Sequence, residues 1–337
     1  MIKLSYDIIK LDSNENQIKH SFDIVNCIKE IDPKLYPDVT NNLVKEEIAK
    51  HFGVTKDEVF CSHGSDYLIK ALTFGLVRGN HEVIMPDIAF PTYEIAAKIK
   101  ECKYIKVPLK DYGIDLKATL EKINENTRLI WISNPHNPTG TLLNDEDILS
   151  FLEKVPSYVK VVLDEAYIEF LEKDPLDSLK IYKEFSNVII LRTFSKAYGL
   201  AGVRVGYGIA RPSIIDEFKF VIGPFDLNSY AQSLAVRVIK EKEYVEQVRI
   251  KNKEALHMYE ATFKELNIEY IKSYASFIMF KLGEKATELV DFLQRNGIIV
   301  KDGKIIGMNG FVRISMGTEE QNRIVIDNIK KFLTHNY

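Results

Sequence analysis

Lys196 directly follows Ser195 in the run Thr193-Phe194-Ser195-Lys196, and Arg204 stands eight residues further on. Two hydroxyls, an amine and a guanidinium within one turn are the donors a phosphate needs, with the guanidinium forking onto two oxygens. An amine held beside that phosphate in a walled site loses hydration and feels a neighbouring cation. Both effects lower its pKa toward nucleophilicity. A lone lysine after a serine is more simply a solvated side chain, so the reading depends on what else the chain supplies.

Four further groups fall at strand ends, where ligands bind in open α/β sheets. Gly64-Ser65-Asp66 opens a helix, and its N–H groups can hold an anion, although a plain helix cap explains the same residues. Asn134-Pro135-His136-Asn137-Pro138-Thr139-Gly140 is a loop stiffened by two prolines, with Asn side chains free to bond a ligand oxygen. Asp164 closes a buried strand and needs a cationic partner if it is to stay ionised. Tyr167 lies three residues on, within reach of the same ligand edge. Tyr93 can stack on a flat ring.

Together these groups ask for one molecule that is planar, phosphorylated and carbonyl-bearing, with a basic ring nitrogen. Pyridoxal phosphate meets every term. Lys196 then forms a Schiff base with its carbonyl, Asp164 keeps the ring nitrogen protonated, and Asn137 and Tyr167 bond the phenolic oxygen. Tyr93 stacks, while Gly64, Ser65, Asp66, Thr193, Ser195 and Arg204 hold the phosphate.

The elements that must position these groups alternate. Short apolar runs at 59–61, 82–85, 104–107, 129–133, 159–163, 188–191 and 203–209 read as strands, and helical patterns separate most of them. That is the signature of an α/β domain on a largely parallel sheet. After Pro224 the pattern changes to a long charged helical stretch from about 230 to 267, with a break near Lys240. Short strands and helices follow, an α+β unit. The expected organisation is an N-terminal segment, 1–30, packing with the small domain, a large α/β domain, 31–225, and a small α+β domain, 226–337.

The 337 residues, 46% of them apolar and 28% charged, suit a soluble globular protein long enough for two domains. The net charge of −3 argues against nucleic acid or an anionic membrane as an obligate partner. No apolar run approaches the length of a membrane span, and Met1–Asp7 lacks a signal-peptide core. Cys27, Cys61 and Cys102 are far apart and odd in number, which points to a reducing cytoplasm rather than a disulfide framework. The seven histidines form no metal-ligand cluster, and Cys61 with His63 is more simply a strand end than a catalytic pair.

The chain also resembles a known family, the fold-type I pyridoxal-phosphate enzymes of aminotransferase class I/II. The likeness rests on N-P-H-N-P-T-G (134–140), D-E-A-Y (164–167), T-F-S-K (193–196) and R-V-G-Y-G (204–208), and spans nearly the whole length. Within that class it is most similar to the histidinol-phosphate aminotransferases, through L-D-S-N-E-N (11–16), Y-P-D (36–38), G-S-D (64–66), P-T-Y (91–93), S-K-A-Y-G-L-A-G-V-R-V-G (195–206) and R-I-S-M-G-T (313–318). The resemblance implies a homodimer in which Tyr36 reaches the cofactor phosphate of the other subunit. It makes Arg313 the substrate anchor and puts Asn16 and Lys301 near the substrate.

Three departures bear on the substrate. Gln17-Ile18-Lys19-His20 replaces a Pro-Tyr-Gly-Pro-like turn, only ten residues precede Leu11, and Lys301 stands where a second arginine is expected. The implied reaction is transfer of an amino group from a small-molecule amino donor to a 2-oxo acid. A threonine-phosphate decarboxylase-like reaction on the same cofactor is the alternative. A silent fold relative acting as a binding module would have no physical need for Lys196, Asp164, Asn137 and Arg204 together.

Overall fold

A computed structural model describes residues 8–172 and 178–334; the opening residues read above for a leader lie outside it. Seven strands form the central sheet, in the order Val59–Ser62, Gly206–Ile209, Val188–Thr193, Lys160–Asp164, Thr127–Ser133, Glu82–Pro86 and Lys103–Val107. All run parallel except Gly206–Ile209, which is antiparallel to both neighbours.

Why these segments are strands is visible in their side chains. Val188–Thr193 is buried at every position, as expected of a strand covered on both faces. Leu129, Trp131, Val162 and Ile189 pack on one face with Leu68 and Leu72 of the helix Ser65–Leu76. Ile130, Ile132, Val161 and Val188 pack on the other with Ile148 and Phe151 of the helix Asp145–Leu152. The period of two thus splits each strand between two helical layers.

The second sheet is antiparallel, in the order Lys301–Asp302, Phe311–Ser315, Phe277–Lys281 and Tyr270–Ile271. Its core is shared with the helices Lys242–Glu265, Lys285–Arg295 and Glu319–Thr334. Near the N-terminus, Ile9–Lys10 pairs in parallel with Ile298–Ile299, and Leu11 sits in this second core. Residues 18–28 instead pack on a core that includes Val44, Ile48, Leu200 and Leu234. The first segment therefore bridges both bodies.

One strand expectation needs correction. The run 203–209 is not continuous: Ala201–Val203 is a 3-10 turn, Arg204 is left-handed at φ 63°, and the strand begins at Gly206. The residue types do not announce that break, because a left-handed φ at an arginine has no compositional mark. The long helical stretch does divide as read, into Ser229–Val238 and Lys242–Glu265.

Candidate active site

The parallel strands end together, and their ends supply the site. Ser133 and Asp164 are register partners on adjacent strands, and Thr193 closes the next. With segments 12–15 and 89–91, Tyr93, Lys301, Ile306 and Arg313 they enclose a cavity of about 500 Å³. It contains Ser65, Asp66, Tyr93, Asn137, Asp164, Tyr167, Thr193, Ser195, Lys196, Arg204, Lys301 and Arg313. A larger cleft of about 740 Å³ beside the helix Lys242–Glu265 holds none of these groups.

Lys196 donates from Nζ to the Ser13 carbonyl at 3.1 Å and lies 5.7 Å over the Tyr167 ring. Burial, reinforced by the Arg313 charge, pushes its amine down to about 8. Asp164 accepts from the Tyr93 hydroxyl at 2.6 Å and from the Ala166 N–H at 3.3 Å. Burial pushes its carboxyl up to about 6, so the carboxylate has no full counterion of its own.

The anion cradle is built from backbone and from missing side chains. The helix Ser65–Leu76 starts after Gly64 with no side-chain cap, leaving its first N–H groups without intrahelical acceptors. Gly64 has φ 101°, and a Cβ there would lie 2.5 Å from the Arg204 Nη2. A Cβ on Gly206 would lie 2.2 Å from the Ser65 nitrogen. Both glycines are required, one for its backbone angle and its arginine, the other for close approach of two chains. Asp66 itself is occupied, accepting from the Thr92 hydroxyl and from Lys70. It can contribute its N–H but not a free carboxylate. Thr193 Oγ1 accepts from the Ser195 N–H at 3.1 Å, which shapes the turn before Lys196.

On the opposite wall, Arg313 donates to the Asn137 Oδ1 at 2.8 Å and to the Asp12 carbonyl at 3.0 Å. Its buried Nε has no hydrogen-bond partner among the described residues. A guanidinium kept this dry with an unused donor is suited to an incoming anion. Because Asn137 spends its oxygen on Arg313, its amide N–H groups remain to donate. Lys301 faces the cavity but is shared with Asp12, at 3.5 Å.

Several expectations change in detail. Asn16 lies outside the cavity lining, since its amide donates to the Ala197 carbonyl and the Tyr244 hydroxyl, at 2.9 and 3.0 Å. Asn14 takes the place beside the ligand volume: its Nδ2 donates to the Tyr167 hydroxyl at 2.9 Å, and Ser315 Oγ bonds its Oδ1. Tyr93 is more than a stacking surface, because its ring lies on Trp131 at 4.7 Å and its hydroxyl holds Asp164. Tyr36 is far from any burial, 80% exposed, and stacks on Phe225 at 4.4 Å.

Sequence reasoning also missed His136. Its Nε2 lies 2.9 Å from the Ile88 carbonyl, which can only accept, so Nε2 carries the proton. Burial holds the ring neutral, pushing it down to about 4, and Nδ1 accepts from the Ser133 hydroxyl at 2.6 Å. The loop carrying Asn137 is thereby pinned, with cis bonds at Asn134–Pro135 and Asn137–Pro138. Cys61 is buried and its thiol is pushed up to about 12, so it is no nucleophile.

These features are those of an enzyme that handles a phosphorylated, amine-reactive cofactor, and the comparisons agree on the class. Residues 6–329 match the family model for aminotransferase class I and II, and the chain belongs to that family. It is 38% identical to a histidinol-phosphate aminotransferase of Geobacillus sp. (strain WCH70), over 97% of this chain and 90% of that one. It is 39% identical to histidinol-phosphate aminotransferase 2 of Carboxydothermus hydrogenoformans, over 97% and 91%. Among solved structures, a histidinol-phosphate aminotransferase from Sinorhizobium meliloti in complex with pyridoxal-5'-phosphate has a TM-score of 0.91. It is 24% identical over 98% of this chain and 92% of that one. Among the described residues no group of His, Cys, Asp and Glu is arranged to hold a metal, and no helix is long and apolar enough to cross a membrane.

Proposed function

We propose that this chain is a pyridoxal-phosphate-dependent aminotransferase whose amino donor is histidinol phosphate and whose acceptor is 2-oxoglutarate or a similar 2-oxo acid. The observation that carries the reading is the pairing, within one cavity, of an amine lowered to about 8 with a buried carboxyl raised to about 6. Alone, each is a costly burial. A cationic ring nitrogen at Asp164 and a carbonyl at Lys196 would relieve both costs.

The residues fit the cofactor. Arg204 and the free N–H groups at Ser65 and Asp66 suit its phosphate, Asp164 its ring nitrogen, and Asn137 and Tyr167 its phenolic oxygen. When bound, it supplies an electron sink for the bond broken at the donor's Cα. Lys196, its amine lowered in the same cavity, would be the residue that holds the cofactor's carbonyl end through Nζ and, once free, would move the donor's Cα proton as base and acid. Asp164 would keep a bound cofactor's ring nitrogen protonated, and Tyr93 orients Asp164 through its hydroxyl. Asn14 fixes the Tyr167 hydroxyl. Arg313 binds the donor's anionic group, with Lys301 adding a point charge once it shares its hold on Asp12.

The relatives' substrate supports the donor assignment, and the buried Arg313 supports an anionic one. The exposed apolar residues around Tyr36 support a homodimer, and three unpaired cysteines support a reducing, cytoplasmic setting. The deciding experiment adds candidate donors one at a time to the cofactor-loaded protein and follows conversion of bound pyridoxal phosphate to pyridoxamine phosphate by absorbance. Histidinol phosphate should convert it fastest, and 2-oxoglutarate should restore the starting form. Lys196→Ala should hold the cofactor without a borohydride-reducible bond. Faster conversion by an unphosphorylated donor would replace the substrate, and carbon dioxide release without conversion would replace the reaction.

A further inference from the structure

The proposed phosphate cradle is held from behind by a residue that does not line the cavity. Asp226 lies 164 and 163 positions from Ser62 and His63, yet its carboxylate gathers both. It accepts from the Ser62 hydroxyl, from the His63 N–H at 3.2 Å and from the His63 Nδ1 at 2.6 Å. Its side chain is only 8% exposed. A buried carboxylate satisfied by three donors fixes those donors in turn.

What it fixes is the turn that makes the cradle. The strand Val59–Ser62 ends here, the Gly64 N–H closes onto the Ser62 carbonyl at 2.7 Å, and the helix begins at Ser65. Gly206 is the register partner of Ser62 and stands close against Ser65. The turn is therefore gripped between the Gly206 backbone and the Asp226 carboxylate. A second tie runs alongside: the His63 ring lies on Tyr67 at 4.1 Å, and the Tyr67 hydroxyl donates to the Val221 carbonyl at 2.9 Å. The segment supplying Asp226 is itself conformationally costly, because its neighbour Phe225 is left-handed at φ 60°.

We propose that Asp226, acting through Ser62 and His63, is a positioning residue for cofactor phosphate binding, setting the aim of the N–H donors at Ser65 and Asp66. The proposal rests on the pyridoxal phosphate reading. It predicts a selective defect, because only the phosphate end of the ligand depends on that aim. A carboxylate near a phosphate would otherwise repel it, so the clamp must contribute more through geometry than it costs in charge.

The test measures dissociation constants of pyridoxal phosphate and of phosphate-free pyridoxal for the parent, Asp226→Ala, Asp226→Asn and His63→Ala, together with each cofactor-free melting temperature. Asp226→Ala should weaken pyridoxal phosphate roughly tenfold or more, the worth of about one charge-assisted hydrogen bond. Pyridoxal affinity should stay at the parent's value. Asp226→Asn keeps one acceptor oxygen and His63→Ala keeps two of the three bonds, so both should fall between. If Asp226→Ala does not fold, those two variants carry the comparison. Equal weakening of both ligands, tracking the melting temperature, would make Asp226 a purely structural clamp. Unchanged or tighter pyridoxal phosphate binding would overturn the proposal outright. A parent that binds no pyridoxal phosphate would instead overturn the cofactor reading.

Discussion

Burial pushes Lys196 and Asp164 toward neutrality from opposite sides, to about 8 and about 6, and the consequences for the cofactor-free chain can be worked out. An unfolded Asp releases its proton near 3.8, whereas folded Asp164 keeps it to about 6. Between those values the folded state binds more protons, so stability falls as pH rises. The cost is absent below about 3.8 and complete above 6, at most about 3 kcal/mol. For Lys196 the unfolded state binds the extra proton between 8 and 10.5, so its cost is full below 8 and fades above it. Asp164→Asn should therefore raise the melting temperature of the cofactor-free protein near pH 7.5 and leave it nearly unchanged near pH 4. Turnover should fall by orders of magnitude, because the ring nitrogen loses its anionic partner. Calorimetry at the two pH values, beside steady-state rates, checks both halves. A variant that is less stable at pH 7.5 would show that Asp164 is a structural cap.

Among the elements, Gly206 crosses closely over the helix start at Ser65. No rotamer can relieve a Cβ placed 2.2 Å from a backbone nitrogen, so Gly206→Ala must displace strand or helix. Overpacking of this kind costs about 1–3 kcal/mol. The displaced groups are the cradle donors, so pyridoxal phosphate affinity should fall more than a melting curve alone would suggest. Titration and melting of the same variant measure both, and unchanged affinity would remove the crossing from the phosphate site.

This crossing also marks where sequence reading stops. The inner parallel strands were legible because both of their faces are buried and leave apolar runs, whereas the strand Lys103–Val107 at the sheet's edge keeps Lys103 and Lys106 exposed. The polar groups at their ends, Asp164, Asn137 and Lys196, were legible because nothing in a strand core explains them. The break at Arg204 was not, since a left-handed arginine has no compositional mark. Nor was the exchange of Asn16 for Asn14, because an irregular segment has no period to say which side chain turns inward. Asp226 could not be paired with His63, as 163 positions separate them and only the fold joins them.

For the molecule as a whole, the proposed homodimer needs an apolar contact surface, and the segments around Tyr36 offer one. Leu35, Tyr36, Val39 and Leu43 are exposed, as are Phe220 and Phe225, and the stack of Tyr36 on Phe225 joins the two segments. Exposed apolar side chains on two segments joined by that stack are the surface we propose for the dimer. A two-fold interface presents each residue twice, so one added charge acts twice. Phe220→Glu with Leu43→Glu should yield monomers by sedimentation.

The sharper question is whose site Tyr36 serves, and mixing two inactive variants answers it. If Tyr36 reaches the partner's cofactor phosphate, a Lys196→Ala subunit still offers its Tyr36 to the other site. Paired with a Tyr36→Ala subunit that keeps Lys196, it completes one site and leaves the second doubly broken. Random exchange makes about half the dimers mixed, each with one intact site of two, so about a quarter of parental activity should return. If Tyr36 serves its own subunit, every mixed dimer has two singly broken sites and nothing returns. Refolding the two variants separately and together, then measuring aminotransfer at equal protein concentration, separates these outcomes. Recovery near a quarter would require both the dimer and the shared site, since neither alone can produce it.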